Sequence, residues 1–148
     1  MNYSIRHVVC PSCVSVNRVS ATRPAQQAKC GKCHQPLFTG KPAAADGTAF
    51  ERHITRNDIP VVVDFWASWC GPCLAMAPAY ERAGAELEPR FRLLKVNADE
   101  EQQLMAKYGI RSIPTLMLFA KGQPVAQNAG AMNTRDIVAW ARSHAPAD

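Results

Sequence analysis

The pattern of hydrophobic and polar positions predicts alternating strands and helices from residue 48 onward. Residues 60–67 form a nearly continuous apolar run rich in β-branched residues, which predicts a central strand buried on both faces. Residues 91–98 and 115–120 predict a second and a third strand. A turn at Lys121-Gly122-Gln123 leads into a short further strand, which we expect to end near Gly130. We expect an α/β domain with a central mixed sheet flanked by helices. Crossovers should join the early strands in parallel, and the tight turn should make the last pair antiparallel.

Between these strands, apolar residues recur at the three- and four-residue steps that are typical of helices. The longest such segment runs from Cys73 to Leu87, and we expect a kink at Pro78 because proline removes a backbone donor. A short helix is predicted over residues 48–56. Two further helices are predicted, one capped by Asp99 and carrying Leu104 and Tyr108, the other capped by Thr134 with Ile137, Val138, Trp140 and Ala141 on its inner side.

The first forty residues differ in composition from the rest. They contain ten apolar residues other than alanine and cysteine, which are too few for an independent core. A segment of this length usually needs a metal or disulfides to fold. The small, turn-prone residues from Gly40 to Gly47 favour a domain boundary there. We therefore expect two domains, a metal-binding module at residues 1–40 and a larger domain at residues 41–148.

Four of the six cysteines lie in this first segment, as two Cys-x-x-Cys pairs separated by sixteen residues. This spacing is typical of zinc sites, because each tight turn directs two sulfurs to one ion. We expect one structural zinc ion and no organic cofactor, with the zinc bound as a tetrathiolate by Cys10, Cys13, Cys30 and Cys33. His7 and His34 lie nearby, but four thiolates already complete the shell, so we expect both histidines to be solvated. Two structural disulfides are the alternative, although such bonds are rare in the cytoplasm, where we expect this chain.

Charge is distributed as unevenly as cysteine. Residues 1–48 contain six Lys or Arg and one Asp, whereas the remainder contains eleven of each sign. A nucleic-acid-binding zinc ribbon is thus an alternative function, supported by basic residues between and within the cysteine pairs: Arg18, Arg23, Lys29 and Lys32. Only Tyr3 and Phe38 are available there to stack on bases, so we do not expect nucleic-acid binding. A salt-dependent binding assay on residues 1–45 would test this alternative. A third possibility, that the basic module docks client proteins, is compatible with an enzymatic activity of the remaining chain.

The remaining two cysteines lie in Trp69-Cys70-Gly71-Pro72-Cys73, directly after a predicted buried strand and at the start of the long helix. Unpaired backbone N–H groups and the helix dipole favour a thiolate at the first cysteine. Pro72 suits the first helical turn, where its missing N–H costs nothing. No second Cys-x-x-Cys remains to complete another tetrathiolate. The context therefore predicts a redox-active pair.

With these motifs, the sequence resembles the thioredoxins, and more closely the zinc-containing bacterial thioredoxin 2 group. The resemblance covers nearly the whole chain and rests on VDFWASWCGPC (63–73), KVNAD (95–99), YGIRSIPT (108–115) and the Lys121-Gly122 turn with Gly130. It implies a thioredoxin fold preceded by a zinc-ribbon-like module. It also implies a protein-disulfide reductase in which Cys70 attacks, Cys73 resolves, and the peptide before Pro114 is cis. Substrate is expected to contact Trp69, Gly71, Pro72, Ile113, Pro114 and Gly130.

Two charged residues, Asp64 and Lys95, lie inside predicted buried strands. Desolvation should raise the pKa of Asp64, so that it can exchange a proton near neutral pH. Thioredoxins use the matching aspartate in this way with the matching lysine beside it, which implies catalytic roles for both residues here. A purely structural ion pair is the alternative. Leu74 and Ser68 depart from residues common at these positions in the family, and the direction of their effect on substrate preference is open.

The resemblance further implies disulfide-containing client proteins as substrates and thioredoxin reductase as the electron donor. The Gly71-Pro72 spacer favours a reductase over an oxidase or isomerase, because in this superfamily that dipeptide accompanies low potentials such as about −270 mV. No apolar run approaches the length of a membrane span, and no signal-like run occurs near Met1. We therefore expect a cytoplasmic monomer without membrane association.

Overall fold

In this computed structural model, which describes residues 5–147, an antiparallel hairpin precedes a five-stranded sheet with helices on both faces. Tyr3 lies outside the described residues. The strands are β1 (Ile5–Val9), β2 (Val16–Ser20), β3 (Ala43–Ala44), β4 (Val61–Trp66), β5 (Arg92–Asn97), β6 (Thr115–Ala120) and β7 (Gln123–Ala129). The α-helices are α1 (Gly47–Arg56), α2 (Gly71–Leu87), α3 (Gln102–Lys107) and α4 (Thr134–His144).

The strand order in the large sheet is β3-β5-β4-β6-β7. β4 pairs in parallel with β5, and β6 pairs antiparallel with β7 after the predicted turn. The mixed α/β architecture is thereby confirmed. The expectation that crossovers keep all the early strands parallel is wrong for β6, which runs antiparallel to β4. Periodicity identifies a buried strand but not its direction, which depends on how the chain between β5 and β6 crosses the sheet.

Side chains on the two faces of β4 belong to two separate cores, because successive residues of a strand point to opposite faces. Val62 packs in a cluster with residues of α2 and α4, including Tyr80 and Ile137. On the other face of the sheet, Val63 and the β4 side chains that point in the same direction pack with Phe50 of α1. Burial on both faces explains why the sequence of this strand is almost continuously apolar. A charged residue within β4 is therefore exceptional.

Two of the predicted helix caps are wrong by one or two positions. The N-cap of α4 is Asn133, whose side chain accepts a backbone N–H, while Thr134 is the first helical residue. The N-cap position of α3 is Glu101, which makes no side-chain cap hydrogen bond. The Asp99 carboxylate instead accepts a hydrogen bond from the Trp69 indole. A short polar side chain that can cap a helix is equally able to bind a group from elsewhere in the fold.

The N-terminal segment contains structure that its hydrophobic and polar pattern does not predict. β1 and β2 form a hairpin, and a small buried cluster forms around Val8, Cys10, Cys30 and Leu37. β3 lies within the turn-prone run from residue 40 to 47 and pairs in parallel with β5. Two alanines have no strand signature, so this pairing depends on the neighbouring strand. Within residues 5–147, no helix is both long enough and apolar enough to cross a bilayer.

Candidate redox site and four-cysteine cluster

The predicted redox pair lies where β4 ends and α2 begins. Cys70 occupies the N-cap position of α2 and forms a disulfide with Cys73 in the first turn. The backbone N–H of Cys73 donates to Sγ of Cys70 at 3.2 Å. This N–H is among the donors that have no partner within the helix, and it favours negative charge on the Cys70 sulfur after reduction. Pro72 lies in the first turn, as expected.

Exposure does not distinguish the two cysteines in the disulfide form. The relative exposure is 4% for Cys70 and 2% for Cys73. Gly71 and Pro72 between them are exposed. The difference between the sulfurs therefore comes from the N-terminus of α2, where only Cys70 accepts the Cys73 N–H.

A second segment of the chain lies against the disulfide. The Ile113–Pro114 peptide is cis, as the resemblance implied, and Sγ of Cys70 lies 3.7 Å from the Ile113 carbonyl oxygen. The Gly130 N–H donates to the Pro114 carbonyl at 2.9 Å, which ties the end of β7 to this segment. Gly130 has φ of +105°, a conformation that side-chain-bearing residues rarely adopt. The structure thus brings the Ile113–Pro114 segment beside Cys70 and joins Gly130 to Pro114.

The two tryptophans near the disulfide have different surroundings. Trp66 is partly buried and packs against the cluster of Ala67, Cys70 and Cys73. Trp69 is 69% exposed, and its Nε1 donates to the Asp99 carboxylate at 2.8 Å. Leu74, one turn into α2, is 51% exposed. Two exposed apolar side chains therefore flank the Cys70-Gly71-Pro72-Cys73 segment in the sequence.

Asp64 lies in the middle of β4 and is fully buried. Neither of its carboxylate oxygens has a hydrogen-bond partner among the described residues. Burial raises the pKa of Asp64 to about 7, and the nearby positive charge of Lys95 partly opposes this shift. Asp64 and Lys95 are paired in register on β4 and β5, and Nζ of Lys95 lies 4.6 Å from the Trp66 ring centroid. Such a carboxyl can gain or lose a proton near neutral pH.

The four N-terminal cysteines converge although they come from two distant turns. All four Sγ atoms lie within 4.8 Å of one another. The Sγ atoms of Cys10 and Cys33 are 3.6 Å apart, as are those of Cys13 and Cys30. A tetrahedron of sulfurs with Zn–S bonds of about 2.3 Å has edges of about 3.8 Å. The donor set and its spacing therefore fit a zinc ion.

Hydrogen bonds to sulfur support negative charge in this cluster. The backbone N–H groups of Ser12 and Cys13 donate to Cys10 Sγ, and that of Lys32 donates to Cys30 Sγ. The Asn17 side chain also donates to Cys30 Sγ, at 3.5 Å. The backbone N–H of Cys33 and the Asn17 amide lower the pKa of the Cys30 thiol, whereas burial and the neighbouring thiols raise the pKa of Cys33. The negative charge that these groups favour therefore lies at Cys30.

The histidines near the cysteines lie outside this cluster. His34 is exposed, and the half-exposed His7 contacts Asp58, with 3.0 Å between Nδ1 and the carboxylate. The expectation of solvated histidines is met by His34 and only in part by His7, and neither belongs to the four-cysteine group found among residues 5–147.

Comparison with known proteins agrees with the fold and both cysteine sets. Residues 41–143 match the thioredoxin family, and residues 9–35 match the family described as thioredoxin 2, N-terminal. Thioredoxin C-3 of Corynebacterium nephridii is 38% identical over 133 residues, covering 90% of this chain and 91% of that protein. Among solved structures, a mutant thioredoxin from Halobacterium salinarum NRC-1 has a TM-score of 0.67 at 30% identity, covering 75% of this chain and 96% of that one. Chloroplastic thioredoxin z has a TM-score of 0.64 at 30% identity, covering 70% and 93%.

The chain therefore belongs to the thioredoxin family, whose members are thiol-disulfide oxidoreductases. Its dithiol motif and its full-length relative make it a protein-disulfide reductase. Within the family it is of the thioredoxin 2 type, because the N-terminal match adds a zinc ribbon with four clustered cysteines.

The structure brings together two groups of side chains that the sequence pattern does not predict. Asp99 binds the exposed Trp69 across thirty residues of sequence. Arg92 and Glu88 form a buried ion pair that contacts the N-terminal segment. An arginine at the start of an apolar strand was the available signal for the second group, and it has the same kind of context as Asp64 and Lys95.

Proposed function

We propose that the chain reduces disulfides of client proteins through Cys70 and Cys73 and is re-reduced by thioredoxin reductase. The observation that carries this proposal is the Cys70–Cys73 disulfide at the N-terminus of α2, against the Ile113–Pro114 segment. The family supplies the reaction class, and the geometry supports the assignment of roles. We further propose a cytoplasmic monomer as the working form.

In the proposed reaction, the Cys70 thiolate attacks one sulfur of the client disulfide. A mixed disulfide forms, and the first client sulfur leaves as a thiolate that takes a proton from water. The Cys73 thiol then gives its proton to the Asp64 carboxylate and attacks the Cys70 sulfur. This step breaks the mixed disulfide and releases the second client thiolate. The client gains two electrons, and the enzyme is left with the Cys70–Cys73 disulfide.

Asp64 suits the proposed proton transfer because its pKa of about 7 lies at working pH. Lys95 is proposed to limit how far burial raises that pKa and to favour the carboxylate that accepts the proton. Its ammonium lies over the Trp66 ring, which packs against the cluster of Ala67, Cys70 and Cys73. The carboxylate of Asp64 is fully buried, so its ionisation depends on these few neighbours.

Client binding is proposed to use the surface around the disulfide. The Trp69 side chain and the exposed Gly71-Pro72 turn would contact the client on one side. On the other side, the backbone of Ile113, next to Pro114, would pair with an extended client segment, with Gly130 leaving room because it has no side chain. Among residues 5–147, apart from the chain neighbours of Gly130, no atom lies within 4 Å of the position that a Cβ would occupy there, which is consistent with an open surface.

We propose that residues 1–40 form a zinc module and residues 41–148 the catalytic domain. Cys10, Cys13, Cys30 and Cys33 would hold one zinc ion, and the fit of their Sγ spacing supports this ligand set. Zinc in such a site supplies folding stability and no open position for water. The module would therefore have a structural or regulatory role, with no part in the thiol exchange.

Reduction of insulin disulfides, measured with NADPH and thioredoxin reductase, tests the activity and the electron donor together. Zinc content of the purified chain, measured by atomic absorption, tests the metal. We expect turnover that requires the chain, the reductase and NADPH together, and one zinc ion per chain. Turnover with glutathione but not with thioredoxin reductase would contradict the proposed donor.

Removal of zinc should change the module but leave the reductase active. We expect a strong chelator, or peroxide that oxidises the four thiolates to two disulfides, to release one zinc ion per chain. The buried cluster of the module is small, so its residues should lose order while insulin reduction continues. Circular dichroism and the insulin assay, before and after chelation, measure both effects. A shortened chain beginning near residue 42 is the matched control. If that chain were folded but inactive, the module would have to belong to the catalytic site.

A further inference from the structure

Arg92 is an unusual residue for the first position of a central strand. Its side chain is buried, with 1% exposed, although arginine is rarely buried without a partner. It lies on β5 of the large sheet, yet its guanidinium contacts the segment that contains the four clustered cysteines. The reaction proposed above makes no use of it.

The guanidinium makes polar contacts with three separate parts of the chain. One nitrogen donates to the carbonyl of Val9 at 3.0 Å and to the carbonyl of Leu37 at 2.8 Å. The other terminal nitrogen donates to the Glu88 carboxylate at 3.0 Å. The guanidinium carbon also lies 5.1 Å from the centroid of the Phe38 ring. The charge is thus partly neutralised by the catalytic domain and partly solvated by carbonyls of the module.

These contacts occur directly beside the cysteines. Val9 precedes Cys10, and its N–H donates to the Asn57 side chain at 2.7 Å while its carbonyl accepts from Arg92. Both polar backbone groups of Val9 are therefore bound by side chains of the catalytic domain. Leu37 follows the second cysteine pair and is buried in the same small cluster as Cys10 and Cys30. One terminal nitrogen of Arg92 thus links Val9, next to the first cysteine pair, with Leu37, which follows the second pair.

Glu88 extends the same arrangement. One carboxylate oxygen accepts from Arg92, and the other accepts from the backbone N–H of Gly40 at 2.7 Å. A charged group removed from water needs such partners, because an uncompensated buried charge is strongly destabilising. The Val9 and Leu37 carbonyls can accept hydrogen bonds from Arg92 only while the module is folded around its cysteines.

We propose that Arg92 is a positioning residue for the four-cysteine site and that it couples zinc binding to the stability of the catalytic domain. This inference rests on the proposed zinc site. Zinc would hold the module in the conformation that presents the two carbonyls to Arg92. By reciprocity, the docked Arg92 would favour the conformation that binds zinc.

The test compares Arg92→Met with Arg90→Met in the full-length reduced protein. Arg90 is exposed and lies two residues earlier, so its replacement removes the same charge without the buried contacts. Zinc affinity is measured by competition with a chromophoric chelator, and thermal unfolding is followed with zinc and with excess chelator. We expect Arg92→Met to weaken zinc binding by about tenfold, the lower end of effects seen for residues that support metal ligands. We also expect it to reduce by more than half the rise in Tm that zinc produces.

Arg92→Lys keeps the positive charge but has one donor nitrogen where arginine has two terminal ones. We expect it to restore part of the zinc affinity and part of the rise in Tm that zinc produces. This variant also serves if Arg92→Met does not fold. A residue with a merely structural role would lower Tm equally with and without zinc and leave zinc affinity unchanged. That result, or equal effects of the Arg90 and Arg92 variants, would overturn the inference while leaving the zinc site intact. A wild-type chain that binds no zinc would overturn both.

Discussion

Replacing Cys70 with serine should abolish insulin reduction, leaving only the rate of uncatalysed exchange. Serine has no thiolate near neutral pH, so no mixed disulfide can form at this position. The remaining Cys73 lies within α2 and lacks the N-cap position at which Cys70 accepts a backbone N–H. We therefore expect no compensation by the second cysteine.

Cys73→Ser should behave differently, because it leaves the attacking sulfur in place. Attack on the client disulfide continues, but no resolving thiol is available, and the mixed disulfide with Cys70 accumulates. Non-reducing gel electrophoresis after incubation with insulin measures this adduct, and the NADPH-coupled assay measures turnover. Ser143→Ala is a suitable control, since Ser143 is exposed on α4, outside the segments that lie against the disulfide, and its replacement should retain activity. Equal residual turnover and equal adduct in the two cysteine variants would contradict the division of roles.

Asp64→Asn should slow turnover by about a hundredfold near neutral pH, the lower end of the range for general acid–base catalysis. An amide fills the same volume but cannot accept the proton of Cys73. The pKa of Asp64 is about 7, so the rate of the resolving step in the wild-type chain should rise with an inflection near that pH. The variant should lack this inflection and approach wild type at higher pH, where Cys73 ionises unaided. An unchanged pH profile would remove Asp64 from the mechanism.

The same variant should be more stable than wild type above neutral pH. Burial raises the pKa of Asp64 from 3.8 to about 7, so the folded state binds the proton more tightly than the unfolded state. Wild-type stability therefore falls as pH rises from about 4 to about 7 and then levels off. The full shift corresponds to about 4 kcal/mol. Urea unfolding at pH 5 and at pH 8 should show a stability gap between the Asp64→Asn variant and wild type that widens with pH. A gap independent of pH would contradict the assigned ionisation.

The redox pair and the zinc-type cysteine pairs were predictable from sequence because their chemistry depends on short spacings. A two-residue spacer determines which sulfurs one turn can present, and an apolar run followed by helical spacing predicts both β4 and α2. Asp64 was recognisable for the same reason, since a charge within an apolar strand is anomalous wherever the strand lies. These features depend on neighbours within a few residues along the chain.

Features that join distant parts of the chain were not predictable in this way. The direction of β6, the pairing of β3, and the bond between Trp69 and Asp99 depend on how the elements cross and pack. Arg92 is the clearest example, because its carbonyl partner Val9 lies 83 residues away. Local patterns specify which side chains must be buried or paired. The partner that satisfies each of them is chosen by packing, since a buried charge binds whichever polar groups the folded chain brings within reach.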